Sequence, residues 1–439
     1  MAAANTMDAI KKKMNAMKTD KEMALDKADQ LDQQLKDQVE KNAKAEEENK
    51  QPNNSCNCRG HPTLNRAGVQ TVVTLPFILP VCADSIASKI LLPVIMPRGL
   101  LERLRNDECV LAAEGYLLEF EARGYLKAGS YVPEVVLEHP ALVRQLHEEF
   151  VHAGSDVVIA FTYYTHREKM RLIGREGDLA KINMEALRIA REVADDTGTL
   201  MAGNICNSNA LKLEDPASVE YVQGIFKEQL EWAQQGGADF IVAETFSSYA
   251  EAALALKVCK QVVPELPVVV TLAVQRDGLY DGVDVAEACR RLEEAGADVV
   301  GLNCTRGPNT MLPLLKEIRA AIKGPLAAVP VPYRTSKEYP TYYALESYDG
   351  SGRPAFPNEL EPWYCTRQQI KEFTEEARKL GVQYLGLCCG NRAGYFREMA
   401  MAAGKHPPAA KYAPDMSQHW SRVNTSSMGG KQFQQIYKC

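Results

Sequence analysis

The sequence predicts an α/β chain folded as a (β/α)8 TIM barrel, preceded by an N-terminal coiled-coil-like helix. Three observations carry that prediction. Short apolar runs alternate with helical patterns eight times between about residues 97 and 420. Their joints repeat one signature, in Gly154-Ser-Asp-Val-Val-Ile-Ala-Phe161, Gly237-Ala-Asp-Phe-Ile-Val-Ala-Glu244 and Gly296-Ala-Asp-Val-Val-Gly-Leu-Asn303, with Gly381-Val-Gln-Tyr-Leu-Gly-Leu-Cys388 a looser copy. Polar, chemistry-bearing residues collect where the runs end, which is where such barrels keep their reactive groups.

Taken in order, residues 7–50 contain no Gly, Pro or aromatic residue. Ile10, Met14, Met17, Lys21, Ala24, Ala28, Leu31 and Leu35 alternate spacings of four and three, a heptad seam that predicts a helix able to self-associate. The stretch from Met7 closely resembles the start of tropomyosin, although Pro52 and the polar run after it end the heptads. Residues 51–96 read as a poorly ordered linker. Their apolar part, Ala67 to Met96, is broken by Pro76, Pro80, Pro93, Asp84 and Lys89, so it offers no membrane span of about 20 uncharged residues.

The barrel reading covers residues 97–420. Each joint glycine suits the left-handed position that ends a helix, and the apolar run that follows enters a sheet buried on both faces. Cys109 to Ala113, Leu200 to Ile205, Val268 to Val274 and Leu326 to Val331 complete eight strands. Residues 421–439 read as a polar tail. The net charge of −6 gives no reason to expect nucleic acid or an anionic membrane as partner. Twelve cysteines in 439 residues, with no secretory signal pattern, predict a reducing, cytoplasmic compartment where thiols can serve as ligands.

Three thiols stand out. Cys304 closes one strand, and the adjacent pair Cys388-Cys389 closes another just before Gly390. Three thiolates brought to one point would bind Zn2+ and leave its fourth position open, as catalytic zinc requires. Neighbouring strand residues face opposite ways, so using both Cys388 and Cys389 needs a bend, which Gly390 permits. Spacing alone leaves a packed-thiol reading open.

These residues carry a resemblance. Gly301-Leu-Asn-Cys304 and Gly386-Leu-Cys-Cys-Gly390 are similar to the two ligand motifs of the homocysteine S-methyltransferase family, nearest its betaine-using branch. Arg123-Gly-Tyr-Leu-Lys-Ala-Gly129, Glu138-His-Pro140, Ala160-Phe-Thr-Tyr-Tyr164 and Ala243-Glu244 extend the likeness. The resemblance implies zinc on Cys304, Cys388 and Cys389, with homocysteine and a small onium methyl donor as partners. Glu244 and Tyr164 become the catalytic candidates; Glu114, Gly115, Tyr131, Tyr163 and Asn303 become substrate-binding candidates. Tyr116 and Phe246 are further aromatic candidates for an onium group.

Departures from the betaine branch fall on the donor side. Ala113-Glu114-Gly115 replaces Asp-Gly-Gly, so Glu114 would supply a carboxylate from a shifted position. Tyr131 stands where that branch has tryptophan, Thr245 stands for a tyrosine, and the long dimerisation arm is not recognisable. The chain leaves no room for a pterin domain, which argues against folate. The long connection Thr335 to Cys365 reads as a lid, with Arg334 before it facing a carboxylate. Betaine is the favoured donor, S-methylmethionine or another sulfonium the alternative. A coiled-coil interaction protein with an inactive barrel is the reading from another class.

Overall fold

A computed structural model describes residues 99–415. The predicted N-terminal helix, linker and tail lie outside them. Eight parallel strands close into one barrel in sequence order. They are β1 (Val110–Ala113), β2 (Val157–Ile159), β3 (Leu200–Cys206), β4 (Phe240–Phe246), β5 (Val268–Leu272), β6 (Val299–Asn303), β7 (Leu326–Val329) and β8 (Val382–Leu387). Closure is made by β1 against β8, from Val110 opposite Tyr384 to Ala113 opposite Leu387. All eight predicted strands are present, with helices between them. No helix among the described residues is long and apolar enough to cross a membrane.

The repeated joint does more than end a helix. Gly154, Gly237, Gly296 and Gly381 take φ of +117°, +75°, +99° and +78°, the left-handed values their position requires. Two residues on, the aspartate reaches across to the preceding strand. Asp156 accepts from the Leu111 N–H at 2.7 Å, Asp239 from Met201 at 2.7 Å, and Asp298 from Val268 at 2.9 Å. Each aspartate also donates its own N–H to the carbonyl of that same residue, at 2.7 to 2.9 Å. These clasps fix the register of β2 on β1, β4 on β3 and β6 on β5 at the N-terminal rim. A basic side chain neutralises each one: Lys405 at Asp156, Arg191 at Asp239, Lys260 at Asp298. In the looser copy Gln383 instead donates to the Leu104 carbonyl at 2.9 Å.

Strand interiors are almost wholly buried, so the rim opposite the clasps is left to present polar groups. Helix starts there are capped by side chains. Ser248 and Asp284 accept from the first turns of Tyr249–Val262 and Val285–Glu294, and Thr366 forms a capping box with Gln369 before Arg367–Lys379.

Candidate metal centre and active site

The three thiols meet at the C-terminal mouth. Cys304 Sγ lies 3.7 Å from Cys389 Sγ, Cys388 Sγ lies 3.9 Å from Cys389 Sγ, and all three fall within 4.8 Å of one another. Four sulfurs on arms of ~2.3 Å around tetrahedral zinc are about 3.8 Å apart, so the two edges that meet at Cys389 already match that figure. The backbone is bent to achieve this. Cys304 and Thr305 take φ of +57° and +51°, left-handed values that cost non-glycine residues about 1–2 kcal/mol each. The turn is held from both sides, as the Cys304 N–H donates to Val329 O at 2.9 Å and Thr305 Oγ1 to Val274 O at 3.0 Å.

Cys388 donates its backbone N–H to Pro330 O at 2.9 Å, and Gly390 turns the chain at φ +89°. Gly115 then packs against the Cys388 carbonyl so closely that a Cβ would sit 2.3 Å from that oxygen. With three thiols clustered, one thiolate is favoured. Hydrogen bonds from Cys304 and Cys388 hold the Cys389 thiol well below its usual range, while donation to Cys304 and Cys389, with burial, pushes Cys388 up. Such a set is built to exchange protons for a soft cation.

On the inner side of the sulfurs lies a buried acidic cavity bounded by Glu114, Gly115, Tyr163, Asn204 and Glu244. Asn303 Nδ2 donates to Glu244 Oε2 at 2.8 Å and to Glu114 Oε2 at 3.3 Å, tying the two carboxylates together. Its Oδ1 accepts the Thr245 N–H at 2.9 Å, which fixes the amide's orientation. Asn204 donates to the other oxygen of Glu244. No donor among the described residues reaches Glu114 Oε1. Burial pushes Glu244 up to about 7, and burial with the Glu244 charge raises Glu114 well above the carboxylate range. Two carboxylates short of counter-charge form a receptor for a cation.

An aromatic cavity opens on the outer side of the same sulfurs. Tyr131, Tyr163, Tyr164, Tyr342, Tyr343 and Phe356 line it, together with Cys304 and Cys389. The rings pack on one another: Tyr342 and Tyr343 at 4.1 Å between centroids, Tyr163 and Tyr164 at 4.4 Å. Tyr131 and Tyr164 again take left-handed φ, +53° and +61°. Tyr163 lines both cavities.

Every predicted site residue except Asn303 lines one of the two cavities, and Asn303 lies just behind, joining the carboxylates. Two other sequence readings fail. Phe246 is fully buried and packs edge-on against Phe226 at 6.0 Å, because its side chain points into the layer under the helices. Arg334 meets no carboxylate among the described residues; its guanidinium donates to the Pro362 carbonyl at an exposed position. Tyr116 lines the acidic cavity rather than the aromatic one, its hydroxyl donating to Ala113 O at 2.9 Å and its ring edge-on to His147. Sequence reasoning missed Tyr342, Tyr343 and Phe356, whose signal lay in the aromatic content of the long seventh connection. It also missed Asn204 inside β3 and Lys169 at the outer cavity.

Residues 112–403 match the family model described as homocysteine S-methyltransferase. The chain belongs to that family. Betaine–homocysteine S-methyltransferase 1 of Xenopus tropicalis is 37% identical over 332 residues, covering 73% of this chain and 80% of the relative. S-methylmethionine–homocysteine S-methyltransferase of Pongo abelii is 36% identical over 324 residues, covering 72% and 85%. Among solved structures, the metallated form of the homocysteine methyltransferase MmuM from Escherichia coli superposes with a TM-score of 0.54 at 19% identity, over 68% of this chain and 97% of that one. That likeness shows the shared barrel fold. The family therefore includes members named for two different donors.

Proposed function

We propose that this member transfers a methyl group from betaine to the thiol of homocysteine, giving methionine, with zinc held by Cys304, Cys388 and Cys389. One observation carries the reading: Cys304 and Cys389 stand on the wall between an acidic cavity and an aromatic one, and Cys388 beside them lines the acidic side. A reaction joining an amino-acid thiol to an onium methyl needs that juxtaposition.

When bound there, zinc would lower the pKa of the homocysteine thiol and orient its sulfur. Glu244 and Glu114 receive the α-ammonium group, which replaces the missing counter-charge between them. Asn303 and Asn204 hold the carboxylates in place for it. Tyr163, Tyr164 and Tyr131 face the onium group, whose positive charge is drawn to ring faces. With the thiol proton released to solvent, the sulfur lone pair attacks the methyl carbon in line from about 3–3.5 Å as the C–N bond breaks and its electron pair stays on nitrogen. Dimethylglycine leaves as a neutral amine, so no general acid is needed. The heptad seam of residues 7–50 would supply self-association.

Zinc content of the purified protein and of Cys389→Ala tests the metal assignment. The reading expects about one zinc per chain and a strong loss in the variant; metal-free wild type sinks it. Methionine formation from homocysteine with betaine, compared with S-methylmethionine, tests the donor. Turnover with S-methylmethionine alone replaces betaine as donor, and no turnover with any onium compound favours the inactive barrel.

A further inference from the structure

Lys169 is the odd residue of the aromatic cavity. It stands on the short helix Arg167–Leu172, half-buried, with its ammonium 3.9 Å from the Tyr164 ring centroid. Burial lowers its pKa, so the charged form lacks compensation. The neighbouring Glu168 is committed elsewhere, accepting from Arg171 and Tyr221 at 2.7 Å each, and Glu228 pairs with Arg167. Lys169 has no ion pair among the described residues. A second donor lines the same cavity with nothing to bind, since the buried Tyr131 hydroxyl has no hydrogen-bond partner.

A fixed positive charge is out of place in a pocket for a cation. An onium compound carrying no anionic group would be repelled by Lys169 on the rings it must contact. A zwitterionic onium resolves the conflict, because its carboxylate can face the ammonium and the tyrosine hydroxyl while its methyl groups face the rings. We propose that Lys169 recognises the carboxylate of the methyl donor, and so selects zwitterionic over purely cationic onium compounds. The assignment rests on the methyl-transfer reading above and names how its donor is chosen.

The test uses the zinc-loaded full chain and the variants Lys169→Met, which keeps the apolar stem, and Lys169→Arg. At saturating homocysteine, Lys169→Met should raise KM for betaine tenfold or more with kcat changed less than threefold, and Lys169→Arg should recover most of the loss. With trimethylsulfonium, which has no carboxylate, Lys169→Met should leave KM unchanged or lower it. Unchanged KM for betaine in Lys169→Met, or an equal rise for both donors, overturns the proposal while leaving the methyl-transfer reading intact. Calorimetric titration with betaine reads the same residue without turnover: the wild type should bind and Lys169→Met should bind at least tenfold more weakly. If the wild type binds betaine but forms no methionine, the methyl-transfer reading fails and the binding comparison still decides the role of Lys169. No binding of betaine by the wild type overturns the assignment.

Discussion

Alanine at Gly115 should disturb the metal centre although Gly115 bears no ligand. Its φ of +88° is left-handed, which costs an alanine about 1–2 kcal/mol. The added Cβ would also lie 2.3 Å from the Cys388 carbonyl oxygen and 2.7 Å from its carbon, about an ångström short of ordinary contact. Both atoms are backbone, so no side-chain rotation relieves the overlap. Overpacking of this kind costs about 1–3 kcal/mol. The relief available is to push the Cys388-Cys389 turn away from β1, and a metal site tolerates only about 0.2 Å in its ligand distances. Gly115→Ala should therefore be about 2–5 kcal/mol less stable and lose zinc at least tenfold more readily to a competing chelator. Gly124→Ala is the control, since Gly124 has φ +81° with nothing within 4 Å of its Cβ. It should lose stability through strain alone and keep its zinc. Thermal melts with chelator competition check both; equal zinc retention in the two variants would refute the idea that Gly115 seats the ligand strand.

Two further outcomes concern stability. Asp239→Ala removes the acceptor for the Met201 N–H and one of the partners of Arg191, so urea denaturation should show a loss of about 1–3 kcal/mol. The methyl-transfer rate at low temperature should not change, because the clasp lies at the rim opposite the thiols. The second outcome follows from His147 and His166, whose burial holds them down at about 3 and about 4. The unfolded chain binds their protons near pH 6.5 while the native chain does not, so their contribution is complete above that pH and is lost as pH falls toward the native values. Each imidazole removes about 1.4 kcal/mol per pH unit across that window. Glu244, raised to about 7, acts with the opposite sign, so the useful measurement is the difference between wild type and His147→Leu. The variant's stability should fall less steeply between pH 6.5 and 5, and parallel slopes would show His147 to be protonated in the native state.

Which parts of this molecule were legible in its sequence follows from what periodicity can encode. Eight apolar runs between amphipathic stretches define strands whatever their exact ends, because each strand is buried on both faces. Cys304, Cys388 and Asn303 were findable because they sit at or just past strand ends, and Glu244, two residues inside the end of β4, because an apolar run meets a carboxylate there. The conformation that brings them together was not. A left-handed Cys304-Thr305 pair has no signature in residue type, since cysteine and threonine are ordinary in extended chain and rare in this region. The Gly-x-Asp joint was visible as a pattern, but its aspartate declares itself only when the preceding strand is seen to offer an unpaired N–H.

The long connection after β7 marks the same boundary from the other side. Tyr342, Tyr343 and Phe356 are far in sequence from Tyr131 and Tyr164, and no repeat relates them. They converge because the loop is pinned at both ends, with the Tyr342 N–H on Thr305 O at 2.8 Å and the Cys365 N–H on Pro332 O at 2.8 Å. The first of these ties the loop to the strained residue beside Cys304. The backbone distortion that turns a thiol toward the metal position therefore also anchors the aromatic wall facing it. A change that relaxes Thr305 should loosen the metal centre and the donor pocket together. That coupling gives the strain a use: one bent turn sets the Cys304 sulfur against the Tyr342 and Tyr343 rings of the aromatic cavity.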